Sequence, residues 1–286
     1  RKIKTPFKNP KKRMRKYILA SVFLLCSFFS QALNLSKDAY FSILTCAPGE
    51  QIHSHFGHTA IRLVDSTNRI DIVFNYGLFS FSDNFIYNFV RGETYYQLGI
   101  QRFSQFIREY IEDERPVIEQ ILALNETQKL KLFEFLNNNY LPQNREYLYN
   151  FLYDNCSTRP RDILASIYGN SFTWNTSMAI TETSDSIWFS NTRNILFSKE
   201  LHSWRDYLHL YTPTQTWLGF GIGLVLGADV DKPASPHQAM FLPDCLMLLL
   251  QNSSINQNGE EVPIVSNTQF LVTPINTNAH IDWITT

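Results

Sequence analysis

Two short runs carry residue types able to do covalent chemistry. One is Tyr153-Asp154-Asn155-Cys156-Ser157-Thr158-Arg159-Pro160-Arg161-Asp162, and the other is Ser54-His55-Phe56-Gly57-His58-Thr59-Ala60-Ile61-Arg62. Cys156 stands among Asp, Asn, Ser and Thr, the residues that cap helix N-termini. A thiol placed there feels the positive end of the helix dipole and exposed N–H groups, which favour the reactive thiolate. The same N–H groups suit a developing oxyanion, and Arg159 and Arg161 add positive charge. Asn155, Ser157 and Arg159 are therefore candidates to contact an oxyanion or a substrate, as is Tyr76. Pro160 fits only the first turn of a helix. The spacing predicts a helix capped by Ser157 or Thr158, with Cys156 just outside it. The competing reading of Cys156 is a small apolar residue packed at a helix start.

A thiol nucleophile needs a base, and the base needs a group that orients it. His58 opens a candidate strand directly after Gly57, where the backbone can bend and approach other elements closely. The strand leads into a hairpin. An even loop centred on Thr67-Asn68 pairs residues whose numbers sum to 135, which puts Asn75 opposite Ala60, one diagonal step from His58 on the same face. An odd loop would put Tyr76 opposite His58 instead. Cys156, His58 and Asn75 form the preferred catalytic set, with Tyr76 as the alternative orienting group. His53, His55 and His58 also spell a pattern that can bind zinc on a strand. No Cys or carboxylate stands nearby at a metal-like spacing, so neither a metal nor another cofactor is expected.

These residues need elements to hold them. Tyr40, Phe41, Ile43 and Leu44, followed by the Pro48-Gly49 breaker, predict a strand and turn within Lys37 to Pro48. Thr59 to Val64 and Ile70 to Tyr76 predict the two hairpin strands. Phe103, Phe106, Ile107, Tyr110 and Ile111 fall on one helical face. Asn125 and Gln128 form a capping box for a second helix carrying Leu132, Phe133, Leu136 and Tyr140, and Pro142 stops it. A third helix follows Cys156. Ser203 to Tyr211 reads as a helix, and Met240 to Leu250 as a short helix or buried strand. Asn170 to Asn194 is dominated by Asn, Ser and Thr and gives a weak signal. The mix of hairpins and helices predicts an α+β fold.

The N-terminus reads as a secretory signal. The basic run Lys11 to Lys16 leads into the apolar stretch Tyr17 to Phe29. That stretch suits the roughly 7–15 residues of a signal core and falls short of the roughly 20 that span a bilayer. Ser30-Gln31-Ala32 matches a small-x-small cleavage site, so residues 1–32 are expected to be removed. Residues 33–286 are expected to form one exported domain, with a core over about 38–170 and a C-terminal elaboration over about 171–286. Three cysteines then remain, Cys46, Cys156 and Cys245, an odd number that leaves at least one thiol unpaired. A Cys46–Cys245 disulfide would leave Cys156 free, although the sequence does not establish that pairing. A formal net charge of −1 gives no basic field for nucleic acid. Trp217 to Gly227 is the most apolar later segment. It is too short and glycine-rich to span a membrane, and reads as buried backbone or a lipid-facing surface, with burial preferred.

Taken together, three runs resemble a known family. Leu44-Thr45-Cys46-Ala47-Pro48-Gly49, Phe56-Gly57-His58-Thr59-Ala60-Ile61-Arg62 and Phe74-Asn75-Tyr76-Gly77 look like the periplasmic domain of Lnb-type lipoprotein N-acyltransferases. Tyr153 to Cys156 with Arg159, Arg161 and Asp162, then Trp217 to Gly227 and Met240 to Asp244, continue the resemblance. His precedes Cys, an order similar to the circularly permuted branch of papain-like NlpC/P60 enzymes, which includes lecithin:retinol acyltransferase. The resemblance implies a permuted papain-like core with Cys156 as nucleophile and His58 as base. It further implies transfer of an acyl chain from phospholipid, through a Cys thioester, to the amino terminus of a diacylated lipoprotein. The partners would be a phospholipid donor, a lipoprotein acceptor and a membrane surface, at the outer face of the inner membrane of a Gram-negative bacterium. Family members commonly continue into C-terminal transmembrane helices, which the 286 residues do not include. A cysteine peptidase or amidase acting on cell-wall peptides would use the same Cys and His, and a non-catalytic envelope binding protein would only bury them.

Overall fold

The fold is built around a strand with no polar face. The computed structural model describes residues 35–79, 93–176, 190–198, 200–212, 216–257 and 260–273. The expected signal segment and much of the Asn/Ser/Thr-rich stretch lie outside them. Residues 41–46 of β1 (Tyr40–Cys46) are all buried, because the strand is covered on both faces. β1 pairs antiparallel with β2 (His58–Asp65) on one side and β5 (Val117–Leu122) on the other. With β3 (Ile70–Leu78), β4 (Tyr95–Arg102), β6 (Glu146–Leu148) and β10 (Val265–Val272), these strands make a seven-stranded antiparallel sheet in the order β10-β5-β1-β2-β3-β4-β6. A second sheet of three strands joins β7 (Phe172–Thr173), β8 (Ser254–Gln257) and β9 (Glu260–Pro263). The α+β class read from the sequence holds.

Each face of the large sheet is covered by a helix. On one face α1 (Phe103–Glu112) packs Phe106 and Tyr110 against Leu44, Cys46, Ala60, Val73 and Val117. On the other lies α8 (Pro243–Asn252), in which residues 243–250 are buried. Gln120 alternates to the face opposite Glu119, and its side-chain amide donates to the Met247 carbonyl of α8 at 3.1 Å. Met240 to Leu250 therefore resolves as helix rather than strand.

The second predicted helix is α2 (Glu126–Tyr140), with the Asn125–Gln128 capping box formed reciprocally at 2.9 and 3.0 Å. It ends just before Leu141 and Pro142, as the missing N–H of proline requires. The third is α3 (Thr158–Tyr168). Shorter helices follow: α4 (Ser190–Leu196), α5 (Trp204–His209, capped by Ser203), α6 (Trp217–Leu226) and α7 (Pro236–Ala239).

One expectation changes. The segment Trp217 to Leu226 has no buried residue, so the preferred burial reading is wrong and it is an apolar helix with one exposed face. The part of the chain after residue 170 adds β10 at one edge of the sheet and packs α8 against β1. Residues from Lys37 onward make one unit.

A buried ionic network locks the sheet register. Arg62 on β2 is bidentate to Asp71 on β3 at 2.8 and 2.9 Å and reaches Glu119 on β5 at 3.0 Å. Ser42 and Gln269 also donate to Glu119, so its buried carboxylate is satisfied from three directions. The Arg62 guanidinium lies 3.4 Å from the Phe103 ring centroid, which joins the network to α1.

Candidate active site

The β2–β3 ladder opens beside His58. Pairing runs from Asp65↔Ile70 to Ile61↔Phe74, all partners summing to 135, and stops there, while β2 stays paired with β1 as far as His58↔Cys46. The even register expected from Thr67-Asn68 is the one formed. Beyond Phe74 the strands separate, and Asn75 places its Oδ1 2.8 Å from Nε2 of His58. An amide oxygen only accepts, so Nε2 carries the proton and Nδ1 keeps the free lone pair. Gly77 makes room for this ring, since a β-carbon there would lie 3.0 Å from Cε1 of His58.

Gly57 sets the start of β2. Its φ is +75°, and a β-carbon would sit 2.7 Å from the Cys46 carbonyl oxygen, so only glycine allows the close approach that places His58.

Cys156 enters from the other side. Its sulfur accepts the backbone N–H of Thr59, the residue after His58. The Ser157 hydroxyl pairs with that of Thr59 at 2.8 Å. Both contacts anchor the start of α3 on β2. Ser157 is the N-cap residue of α3, as expected, with Cys156 just outside the helix, but its side chain makes no capping bond and Asn155 supplies the acceptor instead. Its Oδ1 accepts from the N–H groups of Ser157 and Thr158 at 2.8 and 2.9 Å, and its Nδ2 donates to the carbonyls of Phe151 and Phe241. Thr158 returns a bond to the Asn155 N–H.

Aromatic packing brings the two sequence runs together. The rings of Phe56 and Phe151 are 4.9 Å apart, and Phe151 meets Phe241 at 5.7 Å. Pro243 lies against Gly57. The run Met240 to Asp244 is thus the wedge behind both loops. His55 bonds to the Tyr211 carbonyl at 2.8 Å through Nε2, so it ties down a loop. Among the described residues, no group of His, Cys, Asp and Glu is arranged to hold a metal ion.

The electrostatics differ from the sequence expectation. Burial pushes the Cys156 thiol up to about 11, against the pull of the Thr59 and Cys156 N–H groups. Burial also pushes His58 down to about 4, opposed by the bond to Asn75. Desolvation thus disfavours the charged form of each group, thiolate and imidazolium. Arg159 and Arg161 do not act on the thiol. Arg159 is bidentate to Asp154 at 2.6 and 2.9 Å, and Arg161 is paired with Asp162.

The candidate contact residues divide. Asn155 spends both amide hydrogens and both oxygen lone pairs internally, the Ser157 hydroxyl faces Thr59, and Arg159 faces Asp154. Their side chains serve the loop's architecture. Tyr76 is fully buried, and its hydroxyl has no partner among the described residues. Tyr147 was not singled out from the sequence and shares that property. The Arg159 guanidinium sits 3.5 Å from the centroid of its ring. Burial holds the Tyr147 phenol well above its ordinary range, with the nearby Cys156 adding to the shift. Only its aromatic type before an Asn/Asp-rich loop could have flagged it. Beside the loop, a groove of about 410 Å³ is lined by apolar Phe135, Tyr153 and Ile163 together with Asp154, Arg159 and Asp162.

Fold and site define an α+β domain in which a thiol just before a helix accepts the N–H of Thr59 on the central strand β2, next in sequence to the histidine of a histidine–asparagine pair. Residues 28–187, more than half of the chain, match the Lnb N-terminal periplasmic domain, and the chain belongs to that family. The family is periplasmic, in line with an exported domain, and gives the protein a lipoprotein-related context. Neither the curated proteins nor the solved structures include a match.

Proposed function

We propose that this domain is a cysteine-dependent lipoprotein N-acyltransferase. The observation that carries the reading is the His58–Asn75 hydrogen bond at 2.8 Å, with the Cys156 sulfur held on the N–H of the next residue, Thr59. The reaction has two halves. Nδ1 of His58 takes the thiol proton as sulfur attacks an ester carbonyl of a phospholipid. The C–S bond forms, the C–O bond breaks, and the imidazolium returns the proton to the departing lysophospholipid alkoxide. The free amine of a diacylated lipoprotein's N-terminal cysteine then attacks the thioester. A C–N bond forms, the C–S bond breaks, and the amine proton passes through His58 back to sulfur.

A neutral resting pair suits this chemistry. The proton moves only as the nucleophile attacks, so the thiol is guarded from other electrophiles until an ester is in place. The Tyr147 hydroxyl, near Cys156, is a side-chain donor available to meet the oxyanion, and the Tyr76 ring packs against it. His-before-Cys order on an antiparallel sheet fits a circularly permuted papain-like core. The site would lie at the outer face of the inner membrane, where both substrates reside.

The test is mass spectrometry of lipoprotein N-termini from cells whose sole copy is wild type or Cys156→Ser. Triacylated termini should vanish in the variant, with an acyl thioester trapped on wild-type Cys156. Persistent triacylation with the variant would refute the reading. Cell-wall peptide cleavage by the wild type, without acyl transfer, would assign the same residues to a peptidase.

A further inference from the structure

Helix α6 has no polar side chain: its sequence is Trp-Leu-Gly-Phe-Gly-Ile-Gly-Leu-Val-Leu. None of its residues is buried, and Trp217, Leu224 and Phe220 are 90, 72 and 61 % exposed. Glycines at 219, 221 and 223 weaken any isolated helix, yet this one is tied at both ends. Thr216 caps it, accepting from the Gly219 N–H at 3.0 Å. At the other end, Arg205 donates to the Gly227 carbonyl at 2.8 Å and pairs with Asp231. Six of its ten residues are half-buried, and Trp217, Phe220, Leu224 and Val225 form an exposed apolar face.

A helix that docks on a protein keeps one apolar stripe and turns a polar face to water. Here the outward face itself is apolar, Trp217, Phe220, Leu224 and Val225, and such a face has its stable place in an apolar medium. Ten residues extend only about 15 Å, half of a hydrocarbon core of about 30 Å. Among the described residues no helix is long and apolar enough to cross a membrane. The tryptophan at one end suits the headgroup boundary, where indole rings collect. We infer that α6 inserts into the surface of a phospholipid bilayer and docks the domain there.

The charges at its base support lipid rather than a charged partner. Arg205 is matched by Asp231 and Lys232 by Asp229, so the rim carries no net charge. Docking would then be apolar in origin and nearly indifferent to anionic lipid and to salt.

The helix is also linked to the thiol. The 3₁₀ turn Gly227–Asp231 joins α6 to α5 through Arg205. Trp204 of α5 meets the exposed Tyr153 at 5.4 Å between ring centroids, three residues before Cys156. This path would place the mouth of the site at the lipid surface. That purpose rests on the acyl-transfer reading, whereas the docking does not.

The test uses the full chain with vesicles of phosphatidylcholine alone and of a 4:1 mixture with phosphatidylglycerol, each with and without brominated acyl chains. The Trp217 signal is the difference between wild type and Trp217→Phe. Expected are a blue shift and bromine quenching of that signal, alike in both lipid mixtures and at high salt. Phe220→Glu/Leu224→Glu should lower partitioning of the Trp217 signal at least tenfold with an unchanged unfolding transition, since both positions are exposed. A Trp217 signal untouched by brominated lipid overturns the inference. So does a vesicle-free dimer that the double variant dissolves, which would give the helix to a second copy. Quenching that persists in a Cys156→Ser chain unable to transfer acyl groups upholds docking independently of catalysis.

Discussion

The Nε2 of His58 lies 2.8 Å from the Oδ1 of Asn75, across the point where β2 and β3 part. This bond fixes both the tautomer and the direction of the basic Nδ1. Asn75→Ala should leave the fold intact and lower turnover about tenfold to a hundredfold, the scale of a misplaced catalytic group. Asn75→Asp keeps an acceptor and adds a charge that favours imidazolium. It should retain much of the rate and move the acid limb of kcat/KM upward from about 4. Full activity in the alanine variant would remove Asn75 from the mechanism.

A second expectation concerns the resting charge. Burial raises Cys156 to about 11 and lowers His58 to about 4, so neither group is ionised near neutrality. Alkylation of Cys156 by iodoacetamide should be slow at pH 7 and climb without a plateau through the ordinary thiol range of about 8.5. Cys46 and Cys245 are free, buried and also raised, so they should contribute little background. A plateau with a midpoint below 7 would mean a preformed thiolate–imidazolium pair.

The Tyr147 hydroxyl gives a third. It is buried without a partner among the described residues, beneath the Arg159 guanidinium. If it meets the oxyanion, Tyr147→Phe should lower kcat about a hundredfold with little change in KM, the usual cost of one such donor. The packing of its ring against Tyr96 survives that change. A normal kcat would leave the backbone to stabilise the oxyanion.

The sequence made the site's skeleton legible because local rules govern it. Loop parity fixed the β2–β3 register that leads to Asn75, a glycine announced the bend before His58, and the Asn125–Gln128 pair marked its helix. The cap position of α3 was legible at Ser157, but the side chain that accepts its first N–H groups was not, because Asn155 is held by the distant Phe241 carbonyl, a contact that no local pattern encodes. β5 was not singled out because it carries Glu119 and Gln120 in the core, where the distant Arg62, Ser42, Gln269, Met247 and Gln251 satisfy them. The thiol's charge state was misread for a related reason. Helix-end electrostatics can be read from residue types, whereas the burial that outweighs them is a property of the whole fold.

Asp244 offers a test of that burial. It sits behind the site, 2 % exposed, accepting from the Tyr211 hydroxyl at 2.7 Å. Burial raises its carboxyl from 3.8 to about 6, although the Tyr211 bond pulls the other way. Between those two values the folded state holds a proton that the unfolded chain has released. Stability contributed at this position therefore falls as pH rises from about 4 to about 6, and the loss is complete above that. His58 works oppositely, since its lowered value costs stability as pH drops from 6.5 toward about 4. A wild-type profile would blend the two, but a comparison with Asp244→Asn cancels His58. The asparagine keeps an acceptor for Tyr211 and carries no charge. It should stabilise the domain by about 3 kcal/mol at pH 7.5 and by much less at pH 4. Urea unfolding at both values checks this. A variant less stable than wild type at pH 7.5 would show that the Asp244 carboxylate is a satisfied charge and not a buried cost.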